Sequence, residues 1–396
     1  MQFPPLAPLP YHRQVVEYLR TEEPDVWRWA CSAQTREEHA AAVRSDLLRH
    51  TYRLDSEAHP ELHACCESAA KRLGLTVPVT LYQAGEGAMN AGLYYMPGEA
   101  HVVFFGAILE RIKGPQLEAL LGHELAHHVF WTLEGGIFHA ADRILVACAN
   151  DPRAASAQTR TARLYGLFTE VLADRGSAIA CGSLEPAIAT LVKVQTGLTE
   201  VSAASYLKQA REVLDAGTRG DGQSHPEVFQ RARALELWCG ADPGTEQWIV
   251  DALRGAVSAE SLDLMGQQAL TTLTRAVLAQ ILRHRCLQSD LMLAHARRFF
   301  GDFAPAAAPD ETLASRIAEL RGAQDYIAAL LMDFATVDRE LEDVPLAAAF
   351  ENARLLGVEQ AFETLSARHL EQPKRRITKI RREAAAILEQ AESRHG

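Results

Sequence analysis

Two histidines four residues apart, with a glutamate beside the first, are the residues of this chain best suited to chemistry: His123-Glu124-Leu125-Ala126-His127. On a helix, positions i and i+4 share a face. Both imidazoles can therefore reach one Zn²⁺, while Glu124 leans over the open coordination position as a general base. A pattern this short arises by chance in roughly one chain in twenty, so its flanks matter. Leu117, Leu120, Leu121, Leu125 and Val129 form an apolar stripe at helical spacing, which predicts a buried helix. A buried helix carrying His, Glu and His must satisfy those groups, and a metal ion does so. Gly122, just before the motif, leaves room beside the metal.

Catalytic zinc usually takes three protein ligands. The metzincin pattern HExxHxxGxxH is excluded, because Phe130 and Leu133 stand where it needs Gly and His. Glu170, in Thr169-Glu-Val-Leu-Ala-Asp-Arg175, is the better third ligand. Asp174 lies four residues on, and on a helix would accept the free N–H of a ligating histidine and fix its tautomer. A solvated acidic face is the commoner fate of such a pair, but Leu164, Leu167, Val171, Leu172 and Ile179 bury much of this helix.

Further along, Ser224-His225-Pro226 opens a helix. Beyond simple capping by Ser224, His225 and Arg231 are candidate donors to the oxyanion of a tetrahedral intermediate. His59-Pro60 is a second His-Pro step and is read as a helix start alone. Asn90–Phe105 predicts two strands around a Pro97-Gly98 turn. A strand just ahead of the metal helix can offer its edge to an extended peptide. Asn90, Ala91, His101, Val102 and Val103 are the substrate-binding candidates, against the alternative of an ordinary buried hairpin.

Together these residues resemble the zinc metallopeptidase family of the HtpX heat-shock protease and the CAAX prenyl proteases, which are gluzincins. The resemblance rests on Asn90-Ala91, HExxH at 123–127, ExxAD at 170–174 and HPxxxxR at 225–231, and spans roughly residues 50–240. It implies an endopeptidase acting on peptides or proteins. His123, His127 and Glu170 would bind one Zn²⁺ per chain, Glu124 would be the base, Asp174 would support a ligand, and His225 and Arg231 would assist. The well-known members sit in membranes, whereas this chain has no apolar stretch approaching 18 residues. It therefore resembles a soluble branch, and a prenylated or membrane-embedded substrate is not expected.

The elements that must position these groups imply an α+β, predominantly helical fold. A gluzincin-type domain with a small antiparallel sheet is expected, followed by an all-α C-terminal domain. The expected boundaries are an N-terminal helical extension at 1–50, the metallopeptidase domain at 51–240 and the helical domain at 241–396. The 396 residues suit two domains, and a hydrophobic content of 48% is ample for their cores. A formal charge of −11 disfavours nucleic acid or an anionic membrane as a general partner. The N-terminus lacks the basic and apolar regions of a signal peptide. Seven cysteines without metal spacing fit reduced thiols in a cytoplasm.

Residues 11–73 read as helices and 76–83 as a strand, with the Gly-rich segment 216–224 as a loop beside the site, open to nicking near Gly220. The basic run Lys374–Arg382 reads as a solvated helix face. The C-terminal helices are the expected surface for a protein partner. The competing function is a zinc-retaining module of little or latent activity, whose C-terminal helices recruit partners or cover the cleft.

Overall fold

Local signals set most helix ends in the computed structural model, which describes residues 3–85, 87–216, 227–255, 261–305, 308–320, 322–370 and 373–395. The chain divides into two units, 1–255 and 256–396. In the first, α1 (Pro10–Glu22), α2 (Pro24–Ala30) and α3 (Ala33–His50) lead to β1 (Thr51–Leu54), α4 (Pro60–Leu73), β2 (Val79–Ala84), β3 (Asn90–Met96) and β4 (Glu99–Phe105). The helices α5 (Ile108–Arg111), α6 (Pro115–Thr132), α7 (Ile137–Asn150), α8 (Ser156–Cys181), α9 (Leu184–Thr196), α10 (Ala203–Asp215), α11 (Val228–Cys239) and α12 (Thr245–Arg254) follow. Pro60 and Pro115 each occupy a first turn, where the missing N–H costs nothing. Gly74 ends α4 in the left-handed conformation at φ 71°.

The sheet has four strands in the order β1-β2-β4-β3. It is mixed, which corrects the expectation of an antiparallel sheet: β2 and β4 run parallel, and the two outer pairs antiparallel. The physical cause is a skipped position. The chain leaves β2, crosses to form β3 one place further out, and the Pro97-Gly98 turn returns β4 into the gap. Gly98 takes φ 82°, the positive value such a turn demands. β1 is also new, since helices were expected through residue 73. Four residues are too few to show a period of two, and pairing with β2 decides the conformation.

β4 is thus an interior strand, buried on both faces. Ala100, Val102 and Phe104 pack with Leu81 against Leu117, Leu121 and Leu125 of α6. Val103 packs with Tyr82 and Met96 against Leu47 of α3. Its backbone is paired on both sides, so the expectation that His101, Val102 and Val103 offer an edge to substrate is corrected. The free edge on this side belongs to β3.

Helix α1 packs into this unit's core. Tyr11, Val15, Val16 and Leu19 are buried, and Tyr11 stacks on Phe168 of α8 at 4.7 Å. His12 is fully buried; its Nδ1 accepts from the Leu9 N–H at 3.2 Å, and its Nε2 meets Thr169 Oγ1 at 3.2 Å. Burial pushes its pKa down to about 3, so it is neutral. α1 therefore buttresses α8 one residue before Glu170.

The unit boundary falls after Gly255 rather than at 240. The reason is α12, which is tied to α8 by an Arg175–Glu246 pair at 2.8 Å, with Arg175 almost wholly buried.

The second unit is helical: α13 (Leu264–Ile281), α14 (Asp290–Phe299), α15 (Leu313–Glu319), α16 (Ala323–Thr336), α17 (Val344–Leu355), α18 (Glu359–His369) and α19 (Lys374–His395). Its core gathers Val277, Leu282, Leu331, Phe334, Phe350 and Phe362. Ile380, Ala384, Leu388 and Ala391 of α19 join it at helical spacing. Arg375, Arg376, Lys379, Arg381 and Arg382 of α19 are exposed. Arg376 pairs with Asp343, and Arg381 with Glu359 and Glu363. No helix among the described residues is long and apolar enough to cross a membrane.

Candidate metal centre and cleft

The centre forms where α6 crosses α8 at unusually close range. A Cβ added to Gly122 would stand 2.2 Å from Ala180 Cβ and 2.7 Å from the Gly176 carbonyl oxygen. One added to Gly176 would stand 2.3 Å from Ala126 Cβ and 2.8 Å from the Gly122 oxygen. Gly122 therefore serves helix contact, a role different from the open space expected beside the metal. The crossing brings the histidines of α6 to the carboxylates of α8. Gly176→Ala is expected to force the two backbones apart, costing about 1–3 kcal/mol by overpacking. Metal affinity should fall roughly ten-fold or more as the donors separate. Thermal melts and a metal titration of this variant check both effects.

His123 and His127 sit one turn apart with ring centroids 5.1 Å apart. His123 Nε2 lies 3.5 Å from Glu170 Oε2, and His127 Nε2 lies 3.7 Å from Glu170 Oε1. These separations are long for hydrogen bonds. They are close to the roughly 3.4 Å between two ligands each about 2.1 Å from a tetrahedral ion. Among the described residues, His123, His127 and Glu170 are the one grouping of three such donors able to hold a metal. Burial pushes the pKa of His127 down to about 4, leaving the neutral imidazole that a metal requires. The residues present fit a metal ion.

His123 is held from behind. Its Nδ1 faces Asp174 Oδ1 at 3.2 Å. Burial opposes its protonation, but Asp174 and Glu170 outweigh burial and raise its pKa to about 10. The pocket is thus rich in negative charge and draws a cation inward. Arg231 of α11 offsets part of that negative charge: its Nε and Nη2 grip Asp174 at 2.8 and 2.7 Å, and Nη2 lies 3.3 Å from Glu170. Burial works against ionised Asp174, but Arg231 and His123 hold it below the usual carboxylate range. Two of the three guanidinium nitrogens are therefore committed to the ligand frame, where sequence reasoning expected a free donor.

Glu124 is buried beside His123 at only 6% exposure. Burial, reinforced by Glu170, pushes its pKa up to about 7, against the pull of His123 and Arg231. Its carboxylate also accepts a hydrogen bond from the Leu93 backbone. That bond points the Leu93 N–H away from β4, towards the free side of β3, and alternate residues share its phase.

A cleft of about 850 Å³ opens over these groups. β3 and the segment before it form one wall from Ala88 to Leu93, including the predicted Asn90 and Ala91. Leu191, Val194, Tyr206 and Phe229 add apolar surface, and Trp131, Asp142 and Gly166 line the cleft as well. His101, Val102 and Val103 are not among the lining residues. His225, with the neighbouring Ser224, Pro226 and Gly220, lies outside the described residues.

Sequence reasoning missed Leu93, Trp131 and Asp142. Asp142 left a legible signal: a carboxylate on the stripe Phe138–Ala141–Leu145 that α7 turns to the core.

Two histidines one turn apart, a carboxylate from a second helix and a glutamate above an open cleft define a metallopeptidase site. Residues 56–132, from just before α4 to the end of the metal helix, match the profile of peptidase family M48. The match bears out the resemblance to the family of HtpX and the CAAX prenyl proteases, and with it a metallopeptidase function. No curated protein and no solved structure matches the chain.

Proposed function

We propose that this protein is a zinc-dependent endopeptidase whose substrates are peptides or unfolded protein segments. The observation carrying the reading is the convergence of His123, His127 and Glu170 at ligand spacing, with Glu124 on the cleft side. A zinc ion held there would polarise the scissile carbonyl and make water acidic enough to attack near neutral pH.

The chain's own residues do the rest. Glu124 takes the proton of the attacking water on its carboxylate and returns it to the leaving amine. The Leu93 N–H keeps that carboxylate aimed at the cleft. Asp174 accepts from His123 Nδ1–H and fixes the tautomer that leaves Nε2 free. Arg231 holds Asp174 in place, so it is a positioning residue. His225 remains a candidate oxyanion donor. The outer edge of β3 offers backbone N–H and C=O groups to an extended peptide, which orients it without reading its side chains. Asn90 and Ala91 are the first residues of that strand and line the cleft.

Seven free thiols support residence in a reducing compartment such as the cytoplasm. Metal analysis of the purified protein, followed by digestion of a peptide library with and without chelator, tests the reading. About one zinc per chain and internal cleavage abolished by chelation are expected. A metal-replete protein that cleaves no peptide would point to the non-catalytic module instead.

A further inference from the structure

One helical turn beyond the metal ligands, the cleft contains a second layer of side chains. His127 is followed on α6 by Trp131, four residues later, with ring centroids 5.5 Å apart. Glu170 is preceded on α8 by Gly166, four residues earlier. A turn advances about 5.4 Å, so both residues lie next to the reacting centre. Asp142 of α7 lines the cleft with them.

Each member of this layer is costly to the fold unless something occupies the space. Asp142 sits on the core-facing stripe of its helix beside Phe138, Ala141 and Leu145, all buried. Among the described residues no hydrogen bond or ion pair is made by its carboxylate. The nearby Tyr165 hydroxyl is turned elsewhere, donating to the Phe138 carbonyl at 2.9 Å. Burial alone lifts its pKa to about 7, the mark of a carboxyl lacking a cationic partner. Gly166 lies inside the 26-residue α8, where glycine is destabilising relative to alanine. No close packing requires it, because a Cβ there would meet nothing within 4 Å. Unlike Gly122 and Gly176, it keeps space open. Trp131 adds an aromatic surface, and its buried indole Nε1 has no hydrogen-bond partner.

A carboxylate, an aromatic face and a side-chain-sized void suit one chemistry. The aliphatic stem of a lysine or arginine packs on the indole and the head pairs with the carboxylate. We propose that Asp142, Gly166 and Trp131 form a specificity pocket that selects a substrate lysine or arginine side chain adjacent to the scissile bond. Asp142 determines the charge preference, and Gly166 admits the side chain. The proposal deepens the peptidase reading and rests on it for the word substrate.

The test uses the full-length, zinc-loaded protein and N-acetylated peptides that differ only by Lys or Gln at each position flanking the cleaved bond. A fixed Lys or Arg preference at one position is expected. Asp142→Asn should reduce the Lys-over-Gln ratio in kcat/KM roughly ten- to a hundred-fold. Its Tm should not fall, because a desolvated charge without a partner is being removed. Gly166→Leu should remove the same preference by filling the void.

In parallel, binding of the same peptides to the Glu124→Gln protein is followed by fluorescence anisotropy. If peptides bind with a Lys preference that Asp142→Asn removes, yet wild type cleaves none, the pocket stands and the peptidase reading fails. If peptides are cleaved with no basic preference, or the preference survives Asp142→Asn, the pocket is wrong while the peptidase reading stands. A preference that needs a free peptide amine, or a Tm drop with the ratio unchanged, would also overturn it.

Discussion

Glu124→Gln is expected to lower kcat by roughly 10²–10⁴-fold, with the zinc content unchanged. The amide has the shape of the carboxylate and can still accept from the Leu93 N–H, so the local geometry is retained. What it lacks is basicity: it cannot take a proton from water at neutral pH. The candidate metal donors are His123, His127 and Glu170, and none is altered. The loss should therefore fall on kcat with little change in KM. Steady-state kinetics on one internally cleaved peptide, with metal analysis of the same sample, decides the matter. Wild-type turnover in the variant would exclude Glu124 as the base, and loss of zinc would move it into the metal-holding frame.

Removing Arg231 should produce the largest loss of stability at the site. The guanidinium makes a two-point contact with Asp174 and also neighbours Glu170, and all three side chains are largely buried. Arg231→Ala leaves two carboxylates without their cation, a change that typically costs about 3–5 kcal/mol. Zinc offsets part of this, because a divalent cation among the same carboxylates supplies the missing charge. The variant's Tm should thus fall most in chelator and recover partly on zinc addition. Arg231→Lys should lie between, keeping the charge but losing the forked contact. Melts with and without zinc check the ordering. Equal Tm values for wild type and Arg231→Ala in chelator would show that the pair contributes nothing to the fold. Because Arg231 acts through Asp174 and His123, its activity defect should track metal affinity.

The site was legible wherever the chemistry follows helical spacing. His123 and His127 face one way because a helix repeats every 3.6 residues, and Glu170 and Asp174 do so for the same reason. The Pro97-Gly98 turn was legible because proline and glycine set the backbone angles of a tight turn. The wrong or missing readings share another cause. No local rule tells a strand which neighbour it will pair with, so the central position of β4 could not be foreseen. Gly122 announced small size but not its use. That required knowing that α8 crosses α6 at Gly176. Arg231 announced positive charge near the site but not that its nitrogens were already engaged. Asp142 broke the apolar pattern of α7, and only the cleft shows what the break faces.

The sequence by itself determined the candidate donor set and the proposed base, because these groups lie on helices whose geometry depends on residues close in the chain. It also determined the helical character of both units and the β3–β4 turn. The tertiary structure decided the strand order, the free edge of β3, the partners of Arg231, the crossing at Gly122 and Gly176, and the break between units after Gly255. Each depends on contacts between residues far apart in the chain. Such contacts are selected by the whole packed core, and no short stretch of sequence encodes them.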